Sequence, residues 1–299
     1  MSLSSVLRPS LRPVEPHSGV TAPMQRVDDP IESEKPGSPR PIIQVRDVHK
    51  VYANGTVALQ GADLDIRQGE FVSLLGPSGC GKSTLLRIMA GLGEVTTGQV
   101  RWWEQGYDVV SDKGRKLAFV FQNATLMPWA RVRKNVSLPL DLEHDNGPEA
   151  DQRIDDALQM VGLKGFDNAY PRELSGGMQM RASIARAMVT EPDLLLMDEP
   201  FGALDEMTRN KLNDDVLKLW QQNGWTVVFV THSVYEAVYL SNRVVVMAAR
   251  PGRIVDDIRI EQPYPRSPDF RVSTEFAGYC RQVSESLERA SMLGQEKQP

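Results

Sequence analysis

Cysteine is nearly absent: the 299 residues hold only Cys80 and Cys280. Two cysteines so far apart exclude a disulfide framework and a thiolate metal site, and they suit a reducing compartment. The four histidines are scattered and offer no metal-ligand spacing. Long apolar runs are missing as well. A membrane-spanning helix needs about 18 or more mostly apolar residues, whereas Phe71–Leu75, Leu194–Met197 and Val244–Ala249 have only strand length. A chain of this kind working at a membrane would borrow its partner's spans. Positive charge is not in excess: 34 basic against 39 acidic side chains give a formal charge of −5, which argues against broad nucleic-acid binding. What is present is an ordinary globular mix, 41% hydrophobic and 24% charged, long enough for one large domain or two modest ones.

Proline is unevenly spread, with eight of the twenty falling within residues 1–41 beside Ser, Arg and Glu. That segment reads as a disordered leader. Its opening MSLSSVLRPSLR has the Ser and Arg of a targeting peptide but lacks an apolar core, and a solvated tail is the preferred reading. From Pro41 on, strand and helix patterns alternate. Ile42–Val48 and Ala58–Ile66 read as strands of one hairpin, with Asn54-Gly55 near the bend. Glu70–Leu75 is a buried-type strand leading into a helix with Leu85, Leu86, Met89 and Leu92. Ile154, Ala157, Leu158 and Val161 mark a helix closed by Gly162, and Leu212, Val216, Leu219 and Trp220 mark another ending near Gly224. Strands at Leu194–Met197, Thr226–Val230 and Arg243–Met247 complete an α/β pattern with a mainly parallel sheet. After about residue 262, Phe276, Tyr279, Val283 and Leu287 predict a terminal amphipathic helix. Docking on its own domain is preferred over contact with a partner.

Gly76-Pro77-Ser78-Gly79-Cys80-Gly81-Lys82-Ser83 matches the P-loop pattern, between a strand and a helix as that motif requires. Its glycines let backbone N–H groups turn inward around phosphates, and the helix start at Lys82 adds its dipole. Lys82 is expected to reach the β- and γ-phosphates of ATP, Ser83 to ligand Mg²⁺, and Thr84 to lie with the nucleotide-binding residues. Cys80 reads as a tolerated loop residue, because phosphoryl transfer needs positioning and charge stabilisation rather than a thiol. Leu194–Met197 ends in Asp198 and Glu199, which strand alternation sends to opposite faces. Asp198 is therefore expected to serve Mg²⁺ and Glu199 to polarise the attacking water. His232 follows the strand Thr226–Val230, at the edge where open α/β sheets bind ligands. It is expected to contact the γ-phosphate and the water.

Leu174-Ser175-Gly176-Gly177-Met178-Gln179 precedes a helix with apolar residues at Met180, Ile184, Ala187 and Met188. Ser175 suits an N-cap, and the start is a second anion site. With this motif the chain resembles the ATP-binding-cassette ATPases, over roughly residues 42–255. The resemblance implies a P-loop NTPase fold with a RecA-like core, an antiparallel β subdomain and a helical subdomain. The cassette would span 42–262, its helical subdomain about 123–175, and residues 263–299 would form the amphipathic helical tail. Tyr52 resembles the aromatic that stacks on adenine, with an ordinary strand-end aromatic as the other reading. Gln122 resembles the loop glutamine that senses Mg²⁺ and links to the transmembrane partner. Ser175, Gly176 and Gly177 match the signature, Ala203-Leu204-Asp205 resemble the loop between the two sites, and His232 matches the switch histidine. The family packs two copies head to tail, each signature closing over the other's ATP, so a single subunit should hydrolyse poorly alone. Permease subunits, and indirectly a solute-binding protein, are the further partners implied. So is a peripheral position on the cytoplasmic face of the cell (inner) membrane.

Leu126-Met127-Pro128-Trp129, ELSGGMQMRASIAR from Glu173, EPFGALDEMTR from Glu199 and YEAVYLSNRVVVMAARPGRI from Tyr235 resemble the nitrate, sulfonate and taurine importer branch. Trp129 and its neighbours are expected either to pack inward or to line a groove for a permease helix. Arg131 and Arg133, which follow Trp129, read as a solvated charge run in preference to a device tuning a membrane-facing surface. A soluble cassette ATPase of DNA repair, chromosome upkeep or translation is the alternative, but the tandem cassettes, zinc cysteines and coiled-coil insertions usual there are missing. A P-loop kinase would need neither the signature nor His232. Cargo is selected elsewhere, so no residue of this chain specifies it.

Overall fold

The computed structural model describes residues 41–103, 115–202 and 204–295. The leader expected over 1–41 lies outside these except for Pro41, which opens the first strand. Strands β1 (Pro41–Val51) and β2 (Val57–Arg67) pair antiparallel, and β4 (Thr97–Trp102) joins the other edge of β1. The bend between β1 and β2 uses the expected Asn54-Gly55: Gly55 has φ +81°, and Asn54 Oδ1 accepts from the Thr56 N–H at 3.0 Å. Leu59, Ala62, Leu64 and Ile66 bury one face of β2.

The second sheet has the order β5 (Leu117–Val120), β6 (Leu194–Asp198), β7 (Thr226–Val230), β3 (Phe71–Leu75), β8 (Arg243–Ala248), β9 (Arg253–Arg259). The first five are parallel and β9 is antiparallel at the edge. Strands β3, β6, β7 and β8 are buried along their whole length, as continuous apolar runs require when both faces are covered. Successive side chains go to opposite cores. Val72, Leu74, Leu194, Leu196, Val228 and Val230 join α1 (Lys82–Met89) and the antiparallel sheet. Phe71, Leu75, Leu195, Met197, Val227 and Phe229 meet the other helices. This two-residue period is what places a helix or a second sheet on each side. It is the mixed α/β architecture that the residue pattern predicts, with the separate antiparallel sheet that the resemblance implies.

Helices α2 (Val132–Leu142) and α3 (Pro148–Met160) occupy the stretch between Gln122 and Ser175 and pack against α4 (Gly176–Met188). The expected glycines stand at the helix ends, with Gly162 at φ +72° just beyond α3 and Gly224 at φ +65° after α5 (Glu206–Asn223). The last helix, α7 (Thr274–Gln295), lies on α6 (Val234–Leu240) and β8 through buried Phe276, Cys280, Val283 and Ala290.

One expectation is corrected here. The resemblance implies a peripheral position on the cytoplasmic face of the cell membrane, but among the described residues no helix is long and apolar enough to cross a membrane. The apolar stripe of the longest helix, α7, is buried on the chain's own core. The membrane placement is withdrawn.

Candidate functional site

The parallel strands β3, β6 and β7 are neighbours, so their carboxyl ends bring Gly76, Asp198 and Thr231 to one edge of the sheet. The loop leaving β3 is shaped by close approach. A Cβ on Gly76 would stand 2.5 Å from Met247 O and 2.7 Å from Cys80 Sγ. Gly79 and Gly81 have φ +76° and +90°, in the left-handed region that side chains disfavour. Gly81 is the N-cap of α1 and offers no side-chain acceptor, so the N–H groups of Lys82, Ser83 and Thr84 remain available to an anion. The Lys82 ammonium is buried and donates to Gly76 O at 2.8 Å and Pro77 O at 3.2 Å, which holds it along the loop. Cys80 Sγ lies 3.9 Å from that ammonium; burial pushes the thiol pKa up, which suits a packing residue better than a nucleophile.

Ser83 Oγ donates to Asp198 Oδ1 at 2.7 Å, joining the loop to the end of β6. Asp198 is 3% exposed, and burial raises its carboxyl pKa against the lowering effect of the Ser83 hydroxyl. Glu199 is directed differently from the alternation argument. Strand β6 ends at Asp198, and Glu199 turns out of it at φ +45°, its N–H donating to Val230 O at 3.0 Å. A non-glycine residue held there costs roughly 1–3 kcal/mol, and such strain gathers where geometry serves chemistry. The turn delivers Glu199 Oε2 to 3.6 Å from His232 Nδ1 and 3.3 Å from Gln122 Nε2, which donates to it.

The remaining expected residues are spread around this centre. Tyr52 is 44% exposed, and its hydroxyl meets Thr84 Oγ1 at 3.0 Å, so the ring stands beside the first turn of α1, with the Lys50 ammonium 5.5 Å from its centroid. Ser175 caps α4 by accepting from Met178 N–H at 3.3 Å, and Asp205 caps α5 by accepting from Thr208 N–H at 2.9 Å. That helix-start bond lowers the Asp205 carboxyl pKa. Gly177 packs on the neighbouring loop: a Cβ there would come within 2.9 Å of Leu204 Cδ2. Among the described residues, no hydrogen bond or ion pair joins Ser175, Gly176 or Gly177 to the phosphate loop.

Gly252 escaped the sequence reading. A Cβ on it would lie 2.3 Å from Cys80 O and 2.4 Å from Ala58 O, so the β8–β9 turn supports the phosphate loop from beneath. The Pro251-Gly252 pair signals a turn but carries no sign of that contact.

Mg²⁺ takes oxygen ligands and is typically bound through one or two carboxylates together with substrate phosphates. Ser83 and Asp198 supply that chemistry side by side, and among the described residues no cluster of three or more His, Cys, Asp or Glu side chains competes for a metal. The loop and acid pair thus fit a magnesium nucleotide. The raised Asp198 pKa also has a consequence for stability. The folded state holds that proton to higher pH than the unfolded chain, so stability is lost as pH rises from the ordinary carboxylate range through the raised value. Asp198→Asn is therefore expected to raise the melting temperature of the protein at pH 7. Thermal scans at pH 7 and pH 5 check this, because the advantage should shrink at the lower pH; equal melting temperatures at pH 7 would refute it.

A family model described as ABC transporter matches residues 59–202. An uncharacterized ABC transporter ATP-binding protein of Methanocaldococcus jannaschii is 47% identical over 247 residues, 81% of this chain and 89% of its own. The aliphatic sulfonates import ATP-binding protein of Bacillus subtilis is 43% identical over 244 residues, 79% of this chain and 91% of its own. Among solved structures, a dimeric post-hydrolysis ATP-binding cassette with ADP and Pi matches with a TM-score of 0.67. It is 34% identical and covers 74% of this chain and 100% of that one.

Proposed function

The chain belongs to the ABC transporter family of ATP-binding, ATP-hydrolysing subunits, and from that premise we propose that it powers an importer of small solutes of the nitrate, sulfonate or taurine type. Lys82 and the first-turn amides of α1 hold the phosphates, and Ser83, Asp198 and Gln122 serve the metal. When bound there, Mg²⁺ would supply neutralisation of the charge on the nucleotide's phosphates. Glu199 takes the proton of the attacking water, His232 orients that water and the γ-phosphate, and Tyr52 stacks on the base. A second copy, packed head to tail, supplies Ser175, Gly176 and Gly177 to complete each site, with Asp205 between the two. The detachment of the signature from its own phosphate loop supports this arrangement.

The observation that carries the importer reading is Trp129. It is 76% exposed, yet the loop presenting it is firmly held. Buried Asn135 accepts from the Met127 N–H at 2.6 Å and donates to Ala130 O at 3.0 Å. Arg186 of α4 donates to Thr125 O at 2.9 Å and Ala124 O at 3.1 Å. A large aromatic displayed on an ordered loop is the anchor expected at a protein interface. Arg186 also connects it to the helix that begins at the signature.

The test is capture. Glu199→Gln protein loaded with ATP, used as bait in a detergent extract of whole cells, is expected to retain a polytopic permease identified by mass spectrometry, and Trp129→Ala is expected to lose it. Recovery of only non-membrane or nucleic-acid partners would overturn the importer reading in favour of a non-transport cassette ATPase.

A further inference from the structure

His232 is 58% exposed at its side chain, and Glu199 Oε2 stands 3.6 Å from its Nδ1. Its placement therefore depends on the backbone around it. Thr231, 2% exposed, spans that position: its Oγ1 accepts from the Ser233 N–H at 3.0 Å and donates to Glu236 Oε2 at 2.5 Å. Glu236 sits on α6, and its own N–H donates to Ser233 Oγ at 3.3 Å, so of the residues flanking His232, Thr231 is fastened to the buried Glu236 carboxylate and Ser233 to the Glu236 backbone.

The other oxygen of that carboxylate faces Arg209. Glu236 Oε1 lies 3.6 Å from Arg209 Nε, and Arg209 Nη2 donates to Leu204 O at 2.8 Å. Leu204 in turn packs against Gly177. Neither Glu236 Oε1 nor Arg209 Nε has a hydrogen-bond partner among the described residues, and both are buried atoms. A buried charge pair is weak evidence for stability, since apolar residues of the same size serve as well. This pair joins two loops. It also stops short of a charge-assisted hydrogen bond, which forms at about 2.7–2.9 Å, so a relative movement of less than about 1 Å completes it.

We propose that Glu236 and Arg209 are positioning residues for hydrolysis, tying the turn that carries His232 to the Leu204–Asp205 loop and, through Leu204, to Gly177. This rests on the reading of His232 as the γ-phosphate contact. The His232 turn serves the chain's own ATP, and the Gly177 end serves its partner's. The relay thus makes placement of the histidine in one site depend on the loop that closes the other.

The experiment is steady-state ATPase kinetics on the full chain, with ATP affinity measured separately, for Glu236→Gln, Arg209→Met and the double variant. Glu236→Gln keeps an acceptor for Thr231 and turns the oxygen that faces Arg209 into an amide nitrogen, removing both charge and acceptor on that side. Each single change is expected to lower kcat about 10- to 100-fold, the effect of a sub-ångström misplacement, with KM and ATP affinity within about twofold. The double variant should be no slower than the worse single one, as residues acting in one relay are non-additive. Turnover within about twofold of wild type, losses that multiply, or a fall in affinity matching the fall in kcat would each overturn the relay. Should Arg209→Met not fold, the kcat and KM of Glu236→Gln decide alone. Glu199→Gln runs in parallel: if it hydrolyses normally, the site reading itself fails and the relay with it; if it is inactive, failure of the other variants removes only the relay.

Discussion

Glu199→Gln is expected to slow ATP hydrolysis by about 10²–10⁴-fold, the usual contribution of a positioned general base, while ATP binding stays close to wild type. Glutamine keeps the length and shape of the side chain and loses only the ability to take a proton. Its backbone, at φ +45° and bonded to Val230 O, has no reason to move. The groups proposed to grip the phosphates lie on a different segment: Lys82, Ser83 and the first turn of α1 are unaffected. Single-turnover phosphate release together with equilibrium binding separates the two quantities. Hydrolysis surviving within a few-fold would remove Glu199 as the base and leave His232 as the group to test next.

Gly252→Ala is expected to cost at least about 3 kcal/mol, the upper end of ordinary overpacking, and to weaken ATP binding as well. No strained φ is involved; the objection is purely steric. The added methyl would meet two backbone carbonyls, Cys80 O at 2.3 Å and Ala58 O at 2.4 Å, and backbone cannot swing aside as a side chain tip does. The turn is also pinned by its own bonds, with Gln60 N–H donating to Gly252 O at 2.8 Å and Gly252 N–H donating to Ala58 O at 3.2 Å. Relief must come from shifting either β2 or the phosphate loop. For a domain of this size the melting temperature should fall by roughly 6–12 °C. Nucleotide affinity measured below that temperature should fall too, because Cys80 lies between the two glycines whose left-handed backbone shapes the cradle. A variant with unchanged melting temperature and unchanged affinity would show that the turn has slack and does not support the loop.

These two residues show where local pattern stops being sufficient. The P-loop from Gly76 to Ser83, the strand ending in Asp198, and the N-cap at Ser175 are each legible within a few residues. Apolar alternation, glycine placement and capping chemistry are short-range effects. The same holds for the β1–β2 hairpin and for the helices ended by Gly162 and Gly224. Three strands were not anticipated. Thr97–Trp102 is half exposed with little alternation, Leu117–Val120 is only four residues long, and Arg253–Arg259 is a charged edge strand. Each is a strand because it pairs with β1, β6 or β8, a property of its partner as much as of itself.

The sequence by itself determined the α/β class and pointed to the phosphate loop and the residues proposed to surround the nucleotide. Only the tertiary structure decided how they meet. Insertion of β3 between β7 and β8 puts residues 76, 198 and 231 on one edge, a backbone turn rather than strand alternation aims Glu199, and long-range packing sets Gly252 under the loop and Arg209 beside Glu236. The physical reason is range. Periodicity and capping act between residues a few positions apart, whereas strand order and the close approach of backbones arise from burying both faces of a sheet at once, and no short stretch of chain encodes that alone.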